Sequence, residues 1–154
     1  NSETDCQLYR KETWSSIMAN EEYNVIKELQ GKTFTKVEKN DEHLENDTIK
    51  FHKSTPNEWT EDYVLMFHEQ DCCEAVWIES IVGDLSDLEN TPILLAEEVV
   101  SYSTPEEDEA NWGTETYTFY KLRTIKGSVD IRWVGASNGY YSEAVSVEEY
   151  FNFN

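Results

Sequence analysis

The sequence lacks basic residues over a long central stretch. Of its 154 residues, 12 are Lys or Arg and 32 are Asp or Glu, and no Lys or Arg occurs from 54 to 120. This acid-only window holds 17 of the acidic residues. The formal net charge of −20 far exceeds the magnitude of about 2–8 that suffices for solubility. A field of this sign repels nucleic acid and anionic membranes, so we expect neither as a direct partner, and it favours basic partners.

Signals for membrane insertion and export are also missing. No apolar run approaches the roughly 18 residues of a membrane span, and the polar residues 1–6 show no secretory signal. Three cysteines without such a signal do not indicate a disulfide framework and are typical of a reducing cytoplasm. Disordered acidic chains are poor in aromatic residues, whereas this one has 5 Trp, 9 Tyr and 6 Phe. We therefore expect one folded cytoplasmic domain.

Apolar periodicity predicts an α+β fold within a single domain, 1–154. Apolar residues recur near a period of 3.6 between 12 and 30, and Gly31 follows as a stop signal, which predicts an N-terminal helix. Residues 1–31 then form a helical extension, and 32–150 form a β-rich body with a largely antiparallel, twisted sheet. Asp84 is expected to cap a short helical turn. Strands are predicted at 32–38, 48–53, 63–69, 74–81 and 93–102, the first two as a hairpin.

The C-terminal part alternates between apolar and polar residues, which predicts a three-strand antiparallel meander. A two-residue turn at 126–127 places Tyr120 opposite Trp133, and a second turn at 138–139 places Trp133 opposite Val145. Both registers keep one apolar face continuous. The basic residues of this region could hold a phosphate or an acidic loop of a partner, but we expect them to pair with the chain's own acids. They are Lys121, Arg123, Lys126 and Arg132.

Two groups of residues resemble a known family. They are HEQDCCE at 68–74 with IVGDL at 81–85, and TIKGSV at 124–129 with RW at 132–133 and SNGYYSE at 137–143. Together these strings resemble a family of small acidic proteins of unknown function, found mainly in tailed phages and prophages. The likeness runs from about Gly31 to Glu149. It implies a phage protein in the cytoplasm of a host cell, and it supplies no activity, cofactor or catalytic residue.

The string around Cys72 allows two interpretations. His68, Asp71, Cys72 and Cys73 could form a metal site or a cysteine-dependent enzymatic site. Zinc normally takes four ligands, however, and neighbouring cysteines on a strand point to opposite faces. The surrounding carboxylates also disfavour a reactive thiolate. We therefore favour packing around a polar turn, with no cofactor, and keep a metal-binding or cysteine-dependent enzyme as the alternative.

The acid-only window leads to the main functional hypothesis. We expect a non-enzymatic phage accessory protein that binds and inhibits a basic host protein, either an antiviral or a nucleic-acid-handling factor. Carboxylates spaced like the phosphates of a duplex would make it a DNA mimic. Plain solubility, a divalent metal site in the acidic stretch, and a phage component without a host target are the other interpretations of the charge.

The residues expected to contact the partner all come from this window. The acidic contacts are Glu58, Glu61, Asp62, Asp84, Asp87, Glu97, Glu98, Glu106, Glu107, Asp108 and Glu109. The aromatic contacts are Trp59, Trp77, Tyr102 and Trp112, because Trp and Tyr near charged groups supply contact area at interfaces.

Overall fold

The computed structural model describes residues 21–40, 46–55, 57–103 and 113–153, and these form nine strands in two antiparallel sheets. A five-stranded sheet has the order β1-β6-β7-β8-β5, and a four-stranded sheet has the order β2-β3-β4-β9. A 3-10 helix, Leu85–Leu88, lies between β5 and β6. The strands are β1 Glu21–Val25, β2 Lys36–Lys39, β3 Thr48–His52, β4 Thr60–Phe67, β5 Ala75–Val82, β6 Leu95–Ser103, β7 Thr114–Arg123, β8 Ser128–Ser137 and β9 Ser146–Phe153.

The two sheets pack face to face around one apolar core. Met66 of the four-stranded sheet and Trp133 of the five-stranded sheet are both fully buried, and the Trp133 Nε1–H points at Met66 Sδ at 3.4 Å. A polar contact also crosses between the sheets, because the amide of Ile78 donates a hydrogen bond to Asp47 Oδ2 at 2.7 Å. Alternating apolar residues on strands such as β4, β7 and β8 therefore face the opposite sheet, as in other antiparallel sandwiches.

The predicted α+β fold with an N-terminal helix is wrong. Residues 21–25 form β1, which pairs with β6 so that Tyr23 lies opposite Val99. The chain then makes a single turn in which the amides of Leu29 and Gln30 donate to the carbonyl of Ile26. This turn buries Ile26 and Leu29, so their apparent helical spacing belongs to a turn at a strand end. The earlier part of the predicted helix, 12–20, lies outside the described residues. Within the described part of the chain, no helix is both long and apolar enough to cross a bilayer.

The predicted C-terminal meander is also wrong. β9 crosses to the other sheet and pairs with β4, where Val147 lies opposite Met66. The place beside β8 is taken by β5, so that Ile78 rather than Val145 lies opposite Trp133. Alternation determines which side chains of a strand are buried, but it carries no information on which strand lies next to it.

The hairpin of β7 and β8 is confirmed, with a register shifted by two residues. Arg123 pairs with Ser128 across the loop 124–127, so Tyr120 lies opposite Ile131 and not opposite Trp133. Because side chains alternate with a period of two, this shift leaves the same residues on the buried face. The hairpin of β2 and β3 is confirmed as well, and so are strands that correspond to β4, β5 and β6.

Two of the basic residues near this hairpin pair with acids of the chain itself, as expected, and a third binds a main-chain carbonyl. Arg123 forms an ion pair with Asp130 at 2.8 Å, and Arg132 Nε lies 3.4 Å from a carboxylate oxygen of Glu79. Lys126 Nζ donates to the carbonyl of Glu89 at 2.7 Å. These contacts neutralise part of the acidic surface on the outer side of the five-stranded sheet.

Candidate functional site

A cleft of about 410 Å³ lies between the core-facing side of the five-stranded sheet and the segment 141–145. On β6, Glu98 and Tyr102 line it and follow the buried Ala96 at even intervals, which places them on the core-facing side. On the neighbouring strand β7, Thr118 lies opposite Val100 and Thr116 lies opposite Tyr102. The cleft therefore extends the space between the sheets, but its lining includes polar side chains, whereas the core is lined by apolar ones. Its volume is in the range of about 300–1,000 Å³ that is usual for ligand sites.

The charged side chains that line the cleft are all carboxylates. Glu22 comes from β1, Glu98 from β6 and Glu143 from the segment 141–145, and among the described residues no Lys, Arg or His lines the cleft. Tyr102 and Tyr141 add aromatic rings. Carboxylates accept charge-assisted hydrogen bonds, and aromatic faces attract cations. This lining is suited to a positively charged group.

Glu98 is held in place by a buried tyrosine. Tyr120 donates its hydroxyl to Glu98 Oε2 at 2.6 Å. Burial, together with the negative charge and the hydrogen bond of Glu98, raises the pKa of Tyr120 well above its usual range, so it stays a hydrogen-bond donor. Burial also raises the pKa of Tyr102, and the neighbouring charges of Glu22 and Glu98 add to this rise. Both tyrosines therefore keep their hydroxyl protons, mainly because they are buried and in part because carboxylates lie nearby.

Glu143 forms the other wall and has an unsatisfied oxygen. Its side chain is only 8% exposed, and its Oε2 accepts hydrogen bonds from Thr114 Oγ1 at 2.5 Å and from the hydroxyl of Ser137. Its Oε1 is buried and has no hydrogen-bond partner among the described residues. Gly135 of β8 makes room for Glu143, because a Cβ there would lie 2.7 Å from Glu143 Cβ. A buried acceptor without a donor is rare in native proteins and calls for an explanation.

A family model matches residues 27–147. The chain belongs to the domain family of unknown function DUF7448. The matched segment includes Glu98, Tyr102 and Glu143, whereas Glu22 precedes it. No curated protein and no solved structure matches the chain. The family assignment therefore covers most of the fold and most of the cleft, and it carries no activity.

The other predicted acidic contacts that the structure describes do not line this cleft. Glu61 pairs with Lys50 at 2.5 Å, and Asp62 lies 3.8 Å from Lys53 Nζ. Glu97 directly precedes Glu98 on β6 and so faces the opposite side of the sheet.

Two of the predicted acids, Asp84 and Asp87, belong to the 3-10 helix and its cap, and Glu58 lies before β4. Asp84 caps this helix, as predicted, and the hydroxyl and amide of Ser86 lower the pKa of its carboxyl. Asp87 is half-buried on the same helix, and Glu58 is exposed at the start of β4. Residues 106–109 lie outside the described part of the chain.

The predicted aromatic contacts are also dispersed. Trp59 is 69% exposed before β4 and Trp77 is 39% exposed on the edge strand β5, whereas Tyr102 lines the cleft. Trp112 is not among the described residues. Of all the predicted contacts, the structure thus brings together Glu98 and Tyr102. Sequence reasoning missed Glu22 and Glu143, although Glu143 ends the family-like string at 137–143.

The residues of the alternative site form a turn around a buried glutamate. Cys72 and Cys73 are joined by a disulfide and lie in a bend rather than a strand, so the expectation that they point apart is wrong. His68 Nδ1 donates to the carbonyl of Ala144 at 2.6 Å, and its Nε2 lies 4.0 Å from Glu74 Oε2. No group of three or more His, Cys, Asp or Glu side chains within the described ranges is arranged to hold a metal ion.

Glu74 organises this turn. Its Oε1 accepts hydrogen bonds from the amides of Asp71 at 3.0 Å and Cys72 at 2.9 Å, and from the side chain of Gln70 at 2.6 Å. Burial by itself raises the pKa of Glu74, but the hydrogen bonds from Cys72 and Asp71 and the nearby His68 outweigh it, so the pKa lies below its usual range. The charged form of Glu74 therefore stabilises the fold.

We expect Glu74→Gln to reduce the acid sensitivity of folding. Because the folded-state pKa of Glu74 is depressed, its contribution is present above the unfolded-state pKa and is lost as pH falls through the folded value. The free energy of unfolding, measured with urea between about pH 6 and pH 3, should fall less steeply in this variant than in the wild type. Glu69→Gln, an exposed neighbour, serves as the control. Equal pH slopes in Glu74→Gln and the wild type would contradict this role.

Proposed function

We propose that the chain is a non-enzymatic binding protein whose acidic cleft receives a basic surface of a partner protein. The observation that carries this proposal is the lining of the cleft, where every charged side chain among the described residues is a carboxylate. The net charge of −20 acts in the same direction, because it steers basic molecules towards the protein and repels acidic ones.

The partner we propose is a basic host protein, namely an antiviral or nucleic-acid-handling factor that the chain inhibits by occupying its basic surface. The likeness to small acidic proteins of phages supports a host setting. A DNA mimic in the strict sense needs rows of unpaired carboxylates, and Glu61 and Asp62 instead lie beside lysines of the same sheet. The cleft, rather than a phosphate-like row, is therefore the site we assign to the partner.

The test uses variants with equal net charge. The cleft variant Glu22→Gln/Glu98→Gln removes two carboxylates from the lining, and the control Glu69→Gln/Glu148→Gln removes two exposed carboxylates elsewhere. Each protein is immobilised and exposed to a lysate of a bacterial host. We expect the wild type and the control to retain the same basic proteins, and the cleft variant to bind them about tenfold more weakly, a loss of about 1.4 kcal/mol.

Salt dependence provides the second arm of this test. Retention should decrease as NaCl rises from about 50 mM to about 500 mM, because the Debye length shortens over this range. If the cleft variant and the control lose the same amount of retained protein, the total charge, and not the cleft, is responsible for binding. If the amount of retained protein changes neither with salt nor with the cleft substitutions, the proposal is wrong.

A further inference from the structure

We infer that the cleft is a receptor for a guanidinium group, and that it takes an arginine side chain of the protein partner. This inference deepens the proposed function and rests on it. It starts from the buried Oε1 of Glu143, an acceptor that no described residue satisfies. Glu143 lines the cleft, and because its Oε1 is closed off from solvent, a ligand in the cleft can donate to it only if neighbouring side chains move.

The carboxylates are distributed over both walls. Glu22 lies opposite Val100 on the paired strand, which makes it a diagonal neighbour of Glu98 on the same face, at about 7–8 Å between Cα atoms. Glu143 approaches from the segment 141–145. A guanidinium carries five N–H donors in a rigid plane and can bond to carboxylates on more than one side at once. A compact ammonium has three donors at one point and matches a distributed set of acceptors less well.

The remaining lining suits the other parts of an arginine side chain. Tyr102 and Tyr141 offer aromatic faces, on which a guanidinium stacks more readily than an ammonium does. Val100 and Val145 offer apolar surface for the methylene stem. The hydroxyls of Thr116 and Thr118 supply further acceptors along β7.

The experiment is an NMR titration with matched peptides. Three short peptide amides are added to the isotope-labelled protein: one with a central arginine, one with citrulline, which has the same shape without the charge, and one with lysine. We expect the arginine peptide to shift the amide resonances of Val100, Tyr102, Ser142 and Ala144. We expect the lysine peptide to bind about tenfold more weakly and the citrulline peptide about a hundredfold more weakly, as for a bidentate site.

Two variants link binding to the cleft. Glu143→Gln should weaken the arginine peptide about tenfold, whereas the exposed control Glu69→Gln should leave its affinity unchanged. If Glu143→Gln does not fold, Glu98→Gln takes its place, because a Gln side chain can still accept the hydrogen bond from Tyr120. Arginine amide as a free small molecule forms a further arm. Binding of arginine amide as tight as that of the peptide would assign the cleft to a metabolite and overturn the protein partner.

The outcomes separate this inference from the proposed function. Equal affinities of the arginine and citrulline peptides, or resonance shifts confined to other surfaces, overturn the guanidinium site even if the cleft variant loses its lysate partners. A clear arginine preference together with unchanged retention of lysate proteins by the cleft variant leaves the guanidinium site standing and overturns the proposed partner.

Discussion

Replacing Trp133 with alanine is expected to lower the free energy of unfolding by about 3–5 kcal/mol. Trp133 is fully buried between the sheets and contacts Met66 of the opposite sheet, so truncation leaves a cavity at the centre of the core. Since domains of this size have total stabilities of about 5–15 kcal/mol, the variant should be close to unfolding at room temperature. Urea denaturation followed by far-UV circular dichroism measures the loss.

Trp77 provides the matched control for this experiment. It lies on the edge strand β5 and is 39% exposed, so Trp77→Ala should cost much less than Trp133→Ala. A loss of the same size in both variants would mean that the apolar layer between the two sheets does not dominate stability.

The second large effect is expected for Gly83→Ala at the end of β5. Gly83 has φ 109°, and a Cβ there would lie 2.3 Å from the carbonyl oxygen of Ser128. The backbone conformation costs a non-glycine residue about 1–3 kcal/mol, and the overlap with a main-chain atom costs roughly 1–3 kcal/mol more. The melting temperature and the urea midpoint should both fall accordingly.

Gly31→Ala separates these two contributions. Gly31 also has a positive φ, of 80°, but a Cβ there would meet nothing within 4 Å. The control variant should therefore lose only the conformational part, about 1–2 kcal/mol. If Gly31→Ala and Gly83→Ala are equally destabilising, the close approach of Gly83 to β8 has no energetic weight.

Some of the fold was predictable because burial on one face leaves a local pattern. The alternation of Val129, Ile131 and Trp133 with polar residues correctly identified the buried side of β8. Asp84 was recognisable as a cap because capping depends on residues two or three positions away. Such features are decided within a few residues and can be inferred from the sequence alone.

The errors concern choices that depend on distant parts of the chain. The spacing of Ile26 and Leu29 fits one helical turn as well as a helix, and only the pairing of β1 with β6 distinguishes them. Likewise, the alternation of residues in β9 is compatible with a place in either sheet, so it could not reveal that its neighbour is β4.

The cleft was only partly predictable for the same reason. Glu98 and Tyr102 stood out because they belong to the acid-only window, and they lie four residues apart on one strand. Glu22 and Glu143 come from opposite ends of the described chain, and the pairing of strands brings them to the same cavity. Charge composition predicted the acidic character of the surface, whereas the position of the cleft required the tertiary structure.

The pairing of β4 with β9 also has a consequence for how the molecule assembles. It joins Thr60 to Phe153, so the chain must close a very long loop before this part of the sheet can form. All-β domains with such distant pairings fold slowly, in about milliseconds to seconds. The segment 141–145, which immediately precedes β9, is positioned by this late event. We therefore expect the wall of the cleft that carries Glu143 to be completed late in folding.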